Sequence, residues 1–312
     1  MKKLIVAPFS ALRQYVSREF WFTLTLLVQN HGWQWYESTA VPPEPGLFAE
    51  TLRSMFGAVP DVVLFWESYA HLARQVDGLK LAGAQVDLML DDIHGSQHDM
   101  PEALRDARKI LATYAPRFGH FYPNVEPSRV FWVPHAACPD FLLPVRENPA
   151  PVVFVSGAIN EHYPLRIVMY YLALRRPELA FRQQHPGYHF AFDHEHDQRV
   201  GRGYALTMAG CLAGFTDALR YEYIVAKHFE IPATSSLLIA DRAVAPQLEQ
   251  LGFIDGEHYV SVTAADLEAT VDRVLDRRNV AEMDAIRRRG HALVHARHTC
   301  AHRAQAIDAI CV

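Results

Sequence analysis

Short apolar runs alternate with helix-length segments along most of this chain, and that alternation narrows its possible folds more than any single motif does. Leu4–Ala7, Trp33–Tyr36, Asp61–Trp66, Gln85–Leu90 and Arg129–Val133 read as strands. Between them, residues 12–30, 47–56, 69–82 and 101–112 carry helical spacing. Strands separated by helices of roughly ten or more residues are joined by crossovers, which makes them parallel. A parallel sheet is covered on both faces, so its strands are apolar throughout instead of at alternate positions. The polar, proline-bearing segment Arg146–Pro151 interrupts the series. The alternation then restarts, with strands at Val152–Val155, Leu237–Ala240 and Tyr259–Val262. Helices are expected at 164–174, 204–213, 246–251, 280–296 and 300–310. Thr263 and Asp266 have capping-box spacing at another helix start. The expected class is α/β, with two doubly wound domains at 1–146 and 147–312. The last helix is a candidate to pack back on the first domain. Ligands in such folds lie at the carboxyl ends of the strands, and the cleft between two such domains is the expected site.

The chain has 312 residues, half of them apolar and 21% charged, which is the composition of a globular protein. A net charge of −5 gives no overall pull toward nucleic acid or an anionic membrane. The arginines at 277–278, 287–289 and 297 are interrupted by Glu282 and Asp284 and lack interleaved aromatics, so they read as a solvated helix face. Cys138, Cys211, Cys300 and Cys311 show no paired spacing and read as reduced thiols of a cytosolic protein. The apolar run after Lys3 stops at Pro8, too short for a signal peptide, and no run of 18 apolar residues is present.

The segment Tyr221–Ala233 draws attention next. It reads as a short helix starting near Tyr223, then the turn Thr234–Ser236 and a buried strand. Lys227 and Glu230, three apart, share a helix face, with Glu222 further back. A cation and a carboxylate at such a junction can grip a phosphorylated sugar nucleotide or form a solvated ion pair. Ser156 and Gly157 end a strand, where a residue without Cβ lets backbone approach phosphate. Arg166, at a helix start, is either a phosphate ligand or a solvated charge. Asp91 and Asp92 follow a strand, where one of them can orient a hydroxyl or cap the next helix. His135 also ends a strand, as a site residue or a structural histidine. His185, His189, His194 and His196, with Asp193, Glu195 and Asp197, are crowded together but match no standard zinc spacing.

Taken in order, Val153–Gly157 with Tyr163–Arg166, Lys227–Ala233 with Leu237–Asp241, Asp255–Gly256 with Tyr259 and Asp266–Leu267, and Arg297–Thr299 with His302–Arg303 resemble the C-terminal half of a GT-B glycosyltransferase. The resemblance is to group 1, family 4-like enzymes of the spore-maturation-protein type and covers roughly Pro134 to Ile307. Trp132–Phe141 resembles the segment joining the two domains of such enzymes. The resemblance implies two Rossmann-like domains facing a central cleft, the second binding a nucleotide-sugar donor and the first an acceptor. It places Glu230 on ribose, Lys227 and Arg166 on phosphate, and Glu222, first of an E-x7-E pair, on the donor sugar. Ser156, Gly157, Thr234 and Ser235 complete the donor grip, and His135 and Asp92 stand on the acceptor side. No metal or other cofactor is implied. The chain departs from the pattern at Pro8–Ala11, where a glycine-rich loop is usual, at Thr234–Ser236, which replaces a Gly-Thr-Pro-type turn, and at Cys138, where an acidic residue is common.

The expected activity is transfer of a sugar from a nucleotide diphosphate to a hydroxyl acceptor, with retention if the family 4 likeness holds. The acceptor (saccharide, lipid-linked glycan, protein or modified base) is left open. Two alternatives stand beside it: a transferase acting on modified DNA bases, disfavoured by the acidic charge, and a sugar-nucleotide-binding protein without turnover.

Overall fold

The computed structural model describes residues 1–40, 47–66, 83–94, 101–188 and 191–312, with backbone only at 101–103. The helix expected over 69–82 and His189 lie outside them. Two compact units emerge. One comprises Met1–Arg13, Phe20–Pro134 and Ala301–Val312; the other comprises Gln14–Glu19 and His135–Cys300.

The first unit holds strands β1 (Lys3–Ala7), β2 (Trp33–Glu37), β3 (Val62–Trp66), β4 (Gln85–Leu90), β5 (Lys109–Ala112) and β6 (Val130–Trp132). They pair in the order β2-β1-β3-β4-β5-β6, every pair parallel. Its core joins Ile5, Leu64, Trp66, Met89 and Leu111 of the strands to Leu24 and Leu27 of the helix Glu19–His31. The last helix, Cys300–Cys311, adds Ala304, Ile307 and Cys311 to that core. Asp308 fastens it, accepting from Lys3 Nζ at 2.6 Å and Trp33 Nε1 at 2.7 Å.

The second unit holds β7 (Ala150–Ser156), β8 (Ala180–Gln183), β9 (Cys211–Thr216), β10 (Leu237–Asp241) and β11 (Val260–Val262). Their order is β11-β10-β9-β7-β8, again all parallel. Relative to the chain this is a 2-1-3-4-5 order, which reverses direction between β7 and β9. Ligands of open parallel sheets bind outside the carboxyl ends of the two strands flanking such a reversal. In this unit those ends are Ser156 and Thr216.

Local differences from the expected elements have physical causes. The helix expected over 12–30 is two helices, Phe9–Arg13 and Glu19–His31. Tertiary contacts take the residues between them: Phe192 N–H bonds Gln14 O at 3.1 Å, His194 Nε2 lies 2.7 Å from Tyr15 O, and Arg18 grips both oxygens of Asp140. The helix expected over 101–112 ends at Asp106, and β5 follows. The helix expected over 204–213 is Gly201–Ala209, after which β9 begins. β9 is buried along its whole length, and a Cβ on its Gly214 would lie 2.9 Å from Ile231. Glycine there lets the helix Lys227–Ala233 lie close on the sheet. β8 gave no signal of its own, being a half-exposed edge strand. Only half of the capping box forms: Asp266 accepts the Thr263 N–H at 2.6 Å, and the helix starts at Leu267.

Candidate functional site

The chemistry of the second unit gathers at the carboxyl ends of β7 and β9. β7 ends at buried Ser156, and Gly157 follows with φ +119°. A Cβ on Gly157 would lie 2.5 Å from Arg166 Nη1 and 2.9 Å from its Cζ. Only glycine admits both that backbone conformation and the guanidinium beside it. Pro164 opens the helix Pro164–Arg175, whose third residue is Arg166, 2% exposed. Its Nη2 donates to Asp217 Oδ1 at 2.8 Å, its backbone N–H to Asp217 Oδ2 at 3.1 Å, and its Nη1 to Ala158 O at 3.0 Å. The guanidinium also lies 3.9 Å from the Tyr163 ring centroid. Arg166 is thus held by the fold from several sides, and its Nε is the buried nitrogen left without a partner. Burial raises the Asp217 carboxyl, and Arg166 draws it back.

Lys227 opens the helix Lys227–Ala233, half-buried and without an ion-pair partner among the described residues. Burial pulls its ammonium well below the ordinary range, the charge of Arg166 adds to this, and Glu230 and Asp217 oppose it. Glu230, one turn on and 7% exposed, moves the opposite way. Burial raises it, Lys227 draws it down, and Glu19 and Asp140 push it up again. Glu19 accepts from the Ala136 N–H at 2.6 Å and lies 2.8 Å from His135 Nδ1. His185 is lowered to about 4 by burial and by Lys227 and Arg166. Two cations close together in a partly covered site, the lysine without an ion-pair partner among the described residues, form an arrangement able to hold a polyanion.

The other candidate residues are placed as follows. Glu222 precedes the helix instead of lying on it, in a turn with φ +59°, and its carbonyl accepts from Gln247 Nε2 at 2.9 Å. The helix starts at Lys227, not near Tyr223, and the N–H groups of His228, Phe229 and Glu230 already bond to Val225 and Ala226 carbonyls. Thr234 and Ser235 lie at the amino edge of the sheet, the opposite edge from Ser156. Thr234 Oγ1 donates to Ile231 O at 2.8 Å, and Ser235 Oγ accepts the Arg146 N–H at 3.0 Å. The helix runs antiparallel to the strands, so its first turn and the turn after it cannot serve the same ligand. His135 falls in the second unit, 7% exposed. Asp92 falls in the first unit with its side chain 71% exposed, 3.9 Å from His94. Tyr204, where the helix expected over 204–213 would begin, is no site residue and packs edge-on against Phe154 and Phe141 as part of the core. The histidine cluster disperses: His196 pairs with Asp193 in solvent, while His194 is tied to Tyr15. Among the described residues no group of three His, Cys, Asp or Glu side chains is arranged to hold a metal ion. None of their helices is long and apolar enough to cross a membrane.

Asp217, Glu19 and Asp140 escaped the sequence reading. Asp217 has one signal, its place directly after β9, whose first three residues fall in the helix expected over 204–213.

Residues 174–309 match a family model described as glycosyl transferase-like. No curated protein matches the sequence. Solved structures do match. Anabaena HepE, solved with UDP and glucose, aligns at TM-score 0.63 with 12% identity over 98% of both chains. A glycosyltransferase from Rickettsia africae aligns at 0.61 with 10% identity, over 99% of this chain and 97% of that one. The UDP-GlcNAc 2-epimerase of Neisseria meningitidis, solved with UDP-GlcNAc, aligns at 0.53 with 10% identity over 98% of both. Two parallel, doubly wound sheets and these likenesses give the chain the GT-B fold, built from two Rossmann-like domains.

Proposed function

We propose that the protein is a glycosyltransferase that moves a sugar from a nucleoside diphosphate, with uridine the first base to try, to a hydroxyl acceptor. The observation that carries this reading is the half-buried Lys227, without an ion-pair partner among the described residues, beside Arg166 at the carboxyl edge of the second sheet. Lys227 lies within the segment that matches the glycosyl transferase-like model, and Arg166 lies just before it. The uridine follows from the UDP bound by HepE.

In this reading the diphosphate lies between Lys227, the Gly157 backbone and the Arg166 edge, and Glu230 accepts from the ribose hydroxyls. Glu222 and His135 stand toward the donor sugar. The bond from the anomeric carbon to the diphosphate oxygen breaks as the bond to the acceptor oxygen forms. Negative charge grows on the leaving phosphate, where a fixed lysine lowers the barrier by roughly a few kcal/mol. Transfer on the face the diphosphate leaves, with the acceptor's proton passing to the departing phosphate oxygen, gives retention. The subgroup of spore-maturation-type enzymes is part of the same proposal.

Calorimetric titration with UDP, followed by turnover of UDP-sugars with and without added acceptors, tests it. Binding of UDP to the wild type that is lost in Lys227→Ala and Glu230→Ala supports the site. Equal binding and turnover in all three proteins would sink it. Because the fold is shared with an epimerase, the product is also checked by NMR: a free epimerised sugar nucleotide in place of a new glycoside would overturn the transferase reading.

A further inference from the structure

The first unit carries an open groove that the donor site does not use. Phe9 and Arg13 line it from the helix Phe9–Arg13, Trp21 and Gln29 from the helix Glu19–His31, and Trp35 from β2. Its volume is ≈ 290 Å³, at the low end for ligand pockets and enough for a ring but not for a long chain. Phe9 and Trp35 form an aromatic floor with ring centroids 4.7 Å apart. Trp35 is 47% exposed, a large apolar surface left to water. Around this floor stand polar groups with spare capacity. Arg13 lies 5.9 Å from the Trp21 ring, and neither it nor Gln29 has a hydrogen-bond partner among the described residues. Ser10 fixes Glu37 beside the groove, through its N–H at 3.1 Å and its hydroxyl at 2.9 Å.

Guanidinium, primary amide and carboxylate are each planar and two-pronged. Neighbouring hydroxyls on a sugar ring meet such groups two at a time, while the ring's C–H face lies flat on an indole. An acyl chain would cover Trp35 but make no hydrogen bond to Arg13, Gln29 or Glu37. An anionic membrane surface would meet Arg13 and Glu37 together, a pair with no net charge to attract it. We propose that this groove is a saccharide-binding site, with a hexose ring on Trp35 and its hydroxyls held by Arg13, Gln29 and Glu37. As the seat of the acceptor it rests on the transferase reading; as a binding site it does not.

The test uses the full chain, with saturation-transfer NMR and tryptophan fluorescence against the methyl glycosides of glucose, galactose, mannose and N-acetylglucosamine. Decanoate and phosphatidylglycerol vesicles are run as competitors, and UDP affinity is measured in parallel. At least one glycoside binds, and Trp35→Ala weakens it about tenfold while leaving UDP affinity unchanged. Gln29→Ala, a surface change, weakens it as well. The proposal is overturned if no glycoside binds the wild type, if both variants bind as the wild type does, or if decanoate or vesicles displace the signal. Glycoside binding without UDP binding would defeat the donor reading and leave this site standing.

Discussion

Asp217 Oδ1 holds Arg166 Nη2 at 2.8 Å, with both side chains almost wholly out of solvent. The second carboxylate oxygen takes the Arg166 backbone N–H, so one aspartate at the end of β9 fixes both the start of a helix and the direction of its guanidinium. Removing one partner of such a pair leaves a buried charge uncompensated. Asp217→Ala should therefore cost roughly 3–5 kcal/mol of stability, read as a lower urea midpoint with unchanged slope. An unshifted midpoint would show that Arg166 finds another partner.

Gly157→Ala brings two penalties together: a side chain at φ +119°, and a Cβ 2.5 Å from Arg166 Nη1. A cost of about 1–3 kcal/mol is expected from the backbone alone. UDP affinity should fall as well, because Arg166 must shift. Melting temperature and calorimetric Kd, measured on the same preparation, check both.

Lys227 is held below its ordinary 10.5 by burial and by Arg166. A bound diphosphate favours the ammonium and raises it again, so binding takes up a proton wherever the unbound-state lysine is neutral. UDP affinity should be level below the unbound-state pKa and fall by about tenfold per pH unit above it, until the bound-state pKa is reached. Titrations from about pH 7 to about pH 10 should show this slope in the wild type and lose it in Lys227→Ala.

The same burial makes the pair costly to the fold. Glu230 is raised above its ordinary 4.5, so its ionisation opposes folding as pH climbs past that value, most of all above the folded pKa. Lys227 is lowered, so its charge opposes folding below its folded pKa, and the penalty fades as pH rises toward 10.5. Their attraction offsets part of both. The double variant Lys227→Met, Glu230→Gln should be as stable as the wild type or up to about 4 kcal/mol more stable near pH 7, with UDP binding lost. Loss of stability in that variant would mark the pair as structural.

Thr234→Val separates the two edges of the sheet. It removes a hydroxyl bonded to Ile231 O and should cost about 1 kcal/mol, with UDP affinity unchanged. A weakened UDP Kd would return Thr234 to the donor site.

The sequence by itself determined the architecture. Runs such as Val62–Trp66 are too apolar for anything but a strand covered on both faces, and the helices between them force parallel pairing. It also named Lys227, Glu230, Gly157 and Arg166 as candidates, because each stands at a strand-to-helix or helix-start position visible in the pattern. Tertiary structure alone decided which edge of the sheet each residue occupies. Thr234 and Ser235 lie next to Glu230 in sequence, yet a short helix antiparallel to the strands carries them to the far edge. It likewise brought Glu19 to His135 across 116 positions and closed Asp217 on Arg166. Such pairings depend on how strands order and helices pack, and neither spacing nor residue type encodes them locally.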